Sequence, residues 1–366
     1  MTLHVFNPEH DIALAYDLEN FTAPHAGRQL RHDLGFLPLL WADADDCVMV
    51  DDVDAACRAM RRIQPKILDK SPLSSWQQRL VASNAMASAA SFETVEPWGW
   101  DKAIRRLLLR QGVREEVLPN REQLAVVRRL SHRRIAAMTL RLVREQLSGS
   151  SLVGESFECT TPEMIDEKHA EWGSVILKAP WSSSGRGLRF LLDNSRQHEG
   201  WIRNMLQAQG SIMVEPFYNK VKDFGMEFYA DGKGGITYLG LSLFHTQNGA
   251  YTGNILALEE VKKYFLTNYI SLDLLFSVQQ KLTAVLSTVL GTDYKGPLGV
   301  DMMIVATKNR EGFCLHPCVE INLRRTMGHV ALALTKLVNP TEDSDLLRVM
   351  RIVYEDHIYK LKIQQL

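Results

Sequence analysis

Apolar and polar positions alternate along this chain in short blocks. Leu3–Phe6 is a brief apolar run followed by the polar cluster Asn7-Pro8-Glu9-His10-Asp11, which reads as a strand and a loop. Phe36–Trp41 is apolar, Cys47–Val50 is of β type, Asp54–Arg62 has helical spacing, and Lys66-Ile67-Leu68 reads as a further strand. That alternation predicts a small α/β domain with a mostly parallel sheet. Helical patterns dominate Ser75–Leu147, and Ser148-Gly149-Ser150-Ser151 reads as a linker. The runs Val175–Leu177 and Leu188–Leu192 then enclose a small-residue loop, as in a β-hairpin. Gly225–Ala230 and Ile236–Phe244 flank Asp231-Gly232, a strong hairpin signal. A polar loop is expected over His245–Asn254, and helices over Leu256–Leu290. Strands are expected over Leu298–Val305 and Gly312–Asn322, and closing helices over Val330–Leu337 and Leu346–Leu361. The fold class is therefore α/β, turning to α+β in the C-terminal half. The expected domains are 1–115, 116–214 (with a small subdomain at about 151–214) and 215–366.

Composition narrows the field. With 366 residues, 46% hydrophobic and 23% charged, the chain has material for more than one core. A formal net charge of -1 gives no global call for nucleic acid or an anionic membrane. The first residues lack a basic segment followed by an apolar one, and no apolar run approaches a membrane span. Five cysteines, odd in number and without a CxxC pair, suit reduced thiols in the cytoplasm. The arginine-rich stretch 102–144 spreads over several helix faces and reads as solvated surface. The expected partners are small molecules, with a homodimer left open.

Two clusters carry candidate chemistry. The first is Lys178, then Ser182-Ser183-Ser184-Gly185-Arg186-Gly187. Small side chains let backbone N–H groups approach an anion, and Lys178 and Arg186 add positive charge. Neither G-x-x-x-x-G-K-[ST] nor a strand-to-helix G-x-G-x-x-G is present, so the standard phosphate loops are excluded. A plain solvated hairpin tip is an equal reading of the loop by itself. The second cluster is Asp301 on one strand with Glu320 and Asn322 on the next, the latter two on one face by period-2 geometry. Two carboxylates and an amide oxygen suit Mg2+, and the adjacent Arg324 suits developing negative charge. Strand-end capping with an Arg324 pair is the competing account. Cys314, His316 and Cys318 share a strand parity, but spacing by two converges poorly on a tetrahedral zinc ion. In the loop after the first strand, Glu9 and His10 are candidates to line a site. Asp11 reads as the cap of a helix starting at Ile12.

Taken in order, these residues resemble the ATP-grasp superfamily. The set is Lys178, the loop Ser182–Gly187, Glu215, Asp223, Asp301, and Glu320-Ile321-Asn322-Leu323-Arg324. Ile176–Arg189 is similar to the lid loop of the biotin-carboxylase-like branch, and Gly328-His329 resembles the carboxylase and amine-ligase branches. The resemblance spans about residues 120–335. It implies an N-terminal pre-ATP-grasp domain, a lid subdomain and an antiparallel-sheet C-terminal domain. It further implies that Lys178 meets the α- and β-phosphates and that residues 182–187 cover the β- and γ-phosphates. Glu215 would take the adenine amino group beside the Phe217 backbone, and Asp223 the ribose. Asp301, Glu320 and Asn322 would hold Mg2+, and Arg324 would steady an acyl phosphate. A second phosphate-contacting base falls among His132, Arg133 and Arg134. The implied activity is ATP- and Mg2+-dependent joining of a carboxylate to an amine or thiol. A phosphotransferase on the same fold and a non-catalytic nucleotide-binding protein are the alternatives. Candidate substrate contacts are Glu9, His10, His245, Asn248, Tyr251, Asn254 and Arg325. The lid here is serine-rich where relatives are often glycine-rich.

Overall fold

The computed structural model describes the chain apart from residues 70–72, 74, 85–90, 150, 183–186, 193–197, 248–249, 308–311, 339–346 and 366. β1 (Thr2–Val5) leads through α1 (His10–Tyr16) and α2 (His25–Leu34) to β2 (Cys47–Val50). Then come α3 (Val53–Ile63), β3 (Leu80–Ala82), β4 (Thr94–Pro97) and α4 (Lys102–Arg110). The four strands pair in parallel in the order β3-β2-β1-β4. Asp52 and Asp101 cap α3 and α4, each carboxylate accepting a first-turn N–H. Lys66-Ile67-Leu68 is not a strand. Pro65 sits in a short 3-10 turn there, and the sheet edge falls to Leu80–Ala82, inside the stretch expected to be helical.

α5 (Arg121–Leu130) opens on a capping box between Asn120 and Gln123, and α6 (Arg133–Gln146) opens with His132 Nδ1 accepting the Arg134 N–H at 3.0 Å. Next come β5 (Phe157–Cys159), α7 (Pro162–Trp172), β6 (Val175–Lys178), β7 (Leu188–Leu191), α8 (Glu199–Gln209) and β8 (Ile212–Pro216). Their strands form an antiparallel sheet, β5-β8-β6-β7, over a small core that includes Ile165, Val175, Leu177 and Val214.

The remaining elements are β9 (Lys220–Asp231), β10 (Ile236–Ser242), β11 (Phe244–Gln247), β12 (Ala250–Leu256), α9 (Glu259–Thr267), α10 (Leu272–Leu290), β13 (Lys295–Ala306), β14 (Phe313–Asn322), α11 (Met327–Val338), β15 (Arg348–Glu355) and β16 (Ile358–Gln365). They give two antiparallel sheets, β10-β9-β13-β14 and β11-β12-β15-β16. Residues 224–228 of β9 are buried without a break, so this strand is covered on both faces. On one face α6 and α10 pack Leu140, Val143, Val278 and Leu282 against Phe224, Phe228 and Val300. The arrangement meets the expectation of a parallel N-terminal sheet, a small antiparallel sheet and antiparallel C-terminal sheets.

Three further expectations are corrected. The segment 347–361 is not a helix but the β15–β16 hairpin. Val349, Ile352, Leu361 and Ile363 are β formers, and Asp356 and His357 both have positive φ (53° and 62°), the signature of a two-residue type I′ turn. His245–Asn254 is not a loop but mostly the β11–β12 hairpin, which pairs onward with β15. Asp11 does not cap its helix: Glu9 occupies the N-cap position, without a side-chain bond, and Asp11 lies in the first turn.

The two ends of the chain share a core. Phe6, Leu34, Leu37 and Trp98 pack with Val330, Leu334, Met350 and Leu361. The loop after β1 is thereby fixed against the segment after β14. Among the described residues, no helix is long and apolar enough to cross a membrane, and all five cysteines are free thiols.

Candidate active site

A cavity of about 520 Å3 opens where the three regions meet. Its lining includes Asp11 from α1, Arg133 from α6, Lys178 from β6 and Asp223 and Glu227 from β9, together with Asp301, Glu320, Asn322 and Arg324. A larger groove of about 820 Å3 runs beside α6 and residues 147–158 and gathers, of the candidate residues, Arg134 alone.

The metal-type cluster is assembled by strand register. Asp301 and Glu320 face one another across β13 and β14, and Asn322 Nδ2 donates to Asp301 Oδ2 at 3.2 Å. Asn322 Oδ1 accepts from Arg324 Nη2 at 2.8 Å, and Glu320 Oε1 accepts from Arg133 Nη2 at 2.7 Å. Burial pushes the Asp301 carboxyl up to about 8, and the neighbouring carboxylates Glu320 and Glu227 push the same way. Such a site gains from a hard cation. The donor set, two carboxylates and an amide oxygen, fits Mg2+.

The candidate phosphate-binding residues lie on the hairpin of β6 and β7. Lys178 is the last residue of β6 and is buried, and its Nζ lies 2.5 Å from Glu215 Oε2 on β8. Glu215 Oε1 accepts from Ser156 Oγ at 3.1 Å. The hairpin neck is closed by Ala179 N–H donating to Gly187 O at 2.9 Å. Gly187 lies so close to Ser182 that a Cβ there would overlap the serine side chain. Ser183, Ser184, Gly185 and Arg186 lie outside the described residues.

Of the three candidate second bases, Arg133 reaches the cavity. Its Nη2 pairs with Glu320, its Nε donates to Ala179 O at 3.3 Å, and its Nη1 is buried without a partner. His132 is instead packed edge-on against Trp181, and half-exposed Arg134 lies near Glu158. Asp223 lines the cavity, accepting from Lys220 Nζ and Thr246 Oγ1, each at 2.6 Å. Phe217 does not line it: the residue is exposed, and its N–H donates to Ser174 O at 2.8 Å.

Arg324 is held from the far end of the chain. Its Nε lies 2.9 Å and 3.0 Å from the two Asp11 oxygens, and its Nη2 lies 2.8 Å from Asp11 Oδ2. Burial alone would raise Asp11, but the Arg324 guanidinium holds its carboxyl below the usual range. Asp11 was missed as a site residue in favour of its neighbours. Glu9 turns away to Arg31 at 2.5 Å, and His10 Nδ1 lies 3.0 Å from Asp101.

The other substrate candidates divide. Tyr251 and Asn254 line the cavity. His245 does not: Phe244 and Thr246 face the cavity, so period 2 turns His245 away. Arg325 is drawn to the parallel sheet, pairing with Glu96 at 3.0 Å over the Trp41 ring. Asn248 lies outside the described residues. Glu227, Ser242 and Thr326 line the cavity without having been singled out, because polar residues inside apolar runs read as ordinary strand positions. The zinc reading fails on geometry. Ligands spaced by two along one strand do not converge on a tetrahedral ion, and His316 packs its ring against Gly154 and Tyr218.

No family model matches the chain, and no curated protein matches it. Among solved structures it is similar to an N5-carboxyaminoimidazole synthetase from Staphylococcus aureus complexed with ADP, at 13% identity and a TM-score of 0.49, over 97% of this chain and 83% of that one. It is also similar to a biotin carboxylase in a β,γ-ATP complex from Campylobacter jejuni, at 13% identity and a TM-score of 0.48, over 98% and 77%. A putative ATP-grasp superfamily protein from Archaeoglobus fulgidus matches at 15% identity and a TM-score of 0.46, over 100% and 99%.

Proposed function

We propose that the chain is an ATP-grasp enzyme, an ATP- and Mg2+-dependent ligase that activates a carboxylate as an acyl phosphate and joins it to an amine. One observation carries the reading. Asp301, Glu320 and Asn322 share a single cavity with four cationic side chains, Lys178, Arg133, Lys220 and Arg324. Anion-binding groups facing a hard-cation donor set are what a metal–nucleotide needs. Asp301, Glu320 and Asn322 would hold Mg2+, which when bound would neutralise phosphate charge.

The remaining roles belong to side chains. Lys178 and Arg133 hold phosphate oxygens, exchanging their present carboxylate partners for the nucleotide. Glu215, released from Lys178, faces the base, and Asp223 the ribose. Residues 151–214 act as a lid and exclude water from the acyl phosphate. Arg324, oriented by Asp11, stabilises the charge that develops on the acyl oxygen as the amine attacks. The carbon–nitrogen bond forms, the carbon–oxygen bond to phosphate breaks, and the amine proton leaves to solvent or a nearby base.

The test is Mg2+-dependent ADP release from pools of acids and amines, with hydroxylamine to trap the acyl phosphate. Glu320→Ala should abolish release while leaving the fold intact. A phosphoester product, or release undiminished in Glu320→Ala, would sink the proposal.

A further inference from the structure

Beside Asp301, on which the Glu227 carboxylate acts, the same cavity holds a further group of lining residues. There Glu227, Ser242 and Asn254 supply the polar groups, and Phe6, Trp98 and Tyr251 supply aromatic wall. Glu227 is only 3% exposed. Its Oε2 accepts from Thr326 Oγ1 at 2.8 Å and lies 3.0 Å from His329 Nδ1. Its Oε1 accepts no hydrogen bond from a described residue, and it is not among the sealed, unpartnered atoms. It is therefore open to the cavity. Gly328 passes so close that a Cβ would overlap both Glu227 Oε1 and Ser242 Oγ, which places those two oxygens at one spot. Ser242 Oγ accepts from Asn254 Nδ2 at 2.7 Å, and Asn254 Oδ1 accepts the Tyr251 hydroxyl at 2.5 Å.

Charge pairing sets Glu227 apart. Asp11, Asp223 and Glu320 each have an Arg or Lys partner, in Arg324, Lys220 and Arg133. Asp301 belongs to the metal cluster. Among the described residues no Lys or Arg forms a direct ion pair with Glu227; the buried Lys262, whose Nζ donates to Leu241 O at 2.9 Å, acts on it only at longer range. The lining cations Arg133, Lys178, Lys220 and Arg324 all pair with other carboxylates, so none of them is directed at Glu227 to receive an anionic group there. A buried carboxylate whose nearest partner is an imidazole gains from a second cation, whereas a phosphate or carboxylate brought here would meet like charge.

We propose that the part of the cavity around Glu227 receives a cationic amine, its ammonium on Glu227 Oε1 and Ser242 Oγ and its carbon body against Phe6, Trp98 and Tyr251. This rests on the ligase reading and names its nucleophile class: an amine on an apolar or aromatic skeleton, rather than a phosphorylated or polycarboxylate one, which binds as the ammonium, passes one proton to Glu227 Oε1 to free its lone pair, and loses the second to solvent once the carbon–nitrogen bond has formed. Aromatic walls add cation–π attraction to the ion pair.

The test is calorimetric binding to the full chain without ATP, using phenethylamine, phenethyl alcohol and phenylacetate. The amine should bind at least about tenfold more tightly than the neutral and acidic analogues, the scale of one charge-assisted contact. Glu227→Gln, which keeps the shape, should erase that preference. Equal binding of the three, binding of none, or a preference that survives in Glu227→Gln would overturn the proposal. Because no ADP is read, failure of the ligase reading would show separately, as an absence of Mg2+-dependent ADP release.

Discussion

Asp11 and Arg324 lie 313 positions apart in sequence and meet through three N–H···O contacts of 2.8 to 3.0 Å. Asp11→Asn removes the charge and keeps the shape. The pair is largely buried, with side-chain exposures of 16% for Arg324 and 17% for Asp11. Removing one member of a buried pair costs about 3–5 kcal/mol. Here the loss is smaller, because Arg324 keeps Asn322 Oδ1 and the Arg325 carbonyl and the new amide can still accept one bond. About 2 kcal/mol is expected, roughly 30-fold in an equilibrium constant. Asp11 sits below the usual carboxylate range, so its contribution is present above the unfolded value of about 4 and fades as pH falls through the folded one. The assay is a double-mutant cycle of Asp11→Asn with Arg324→Ala, read by urea unfolding at pH 7 and by the rate of ADP release. Coupling of at least about 1 kcal/mol is expected in both. If the two effects add within about 0.5 kcal/mol, Asp11 does not position the arginine and the link between the chain's two ends is incidental.

Other outcomes follow from single contacts. Lys178→Met should weaken ATP binding by calorimetry and also strand buried Glu215, at a cost of about 3–5 kcal/mol in urea unfolding. Lys178→Met/Glu215→Gln should recover stability but not affinity, and recovery of both would remove the phosphate role. Burial, with Lys178 and Arg144 nearby, pushes His316 down to about 3, so the folded chain holds it neutral. The unfolded chain then binds the extra proton below about 6.5, and about 2 kcal/mol is lost between pH 7 and pH 5. His316→Leu should flatten that acid limb, whereas an unchanged slope would place the titration elsewhere. Gly328→Ala should cost about 1–3 kcal/mol by overpacking Glu227 and Ser242, and a variant as stable as the parent would contradict the close approach.

What could be seen in the sequence was whatever local chemistry specifies. Lys178 ends a four-residue strand, and Asp301, Glu320 and Asn322 sit on strands whose period fixes their faces. Those residues needed only neighbouring-strand pairing to meet. The closing hairpin was hidden because its turn uses Asp356-His357 rather than a glycine pair, so the local signal for positive φ was absent. The β11–β12 hairpin was hidden for a different reason: a strand beside a polar cavity carries His, Thr, Tyr and Asn where a core strand would carry aliphatics.

Asp11 shows where local reasoning ends. A carboxylate one residue into a helix is favourable there on dipole grounds alone, so its position has a sufficient local explanation. Its actual partner is set by a core that joins Phe6 and Trp98 to Val330 and Leu334. That packing brings the loop after β1 against the residues after β14, and Trp98 O accepts the Arg325 N–H at 2.8 Å on the same seam. Two adjacent arginines are thereby divided between two tasks. Arg325 is drawn to Glu96 and the parallel sheet, while Arg324 stays at the cavity with Asp11 and Asn322. The N-terminal sheet therefore sets the orientation of the arginine on which the proposed chemistry depends. A change in the Phe6–Val330 core should alter catalysis without touching a residue of the cavity's charged groups.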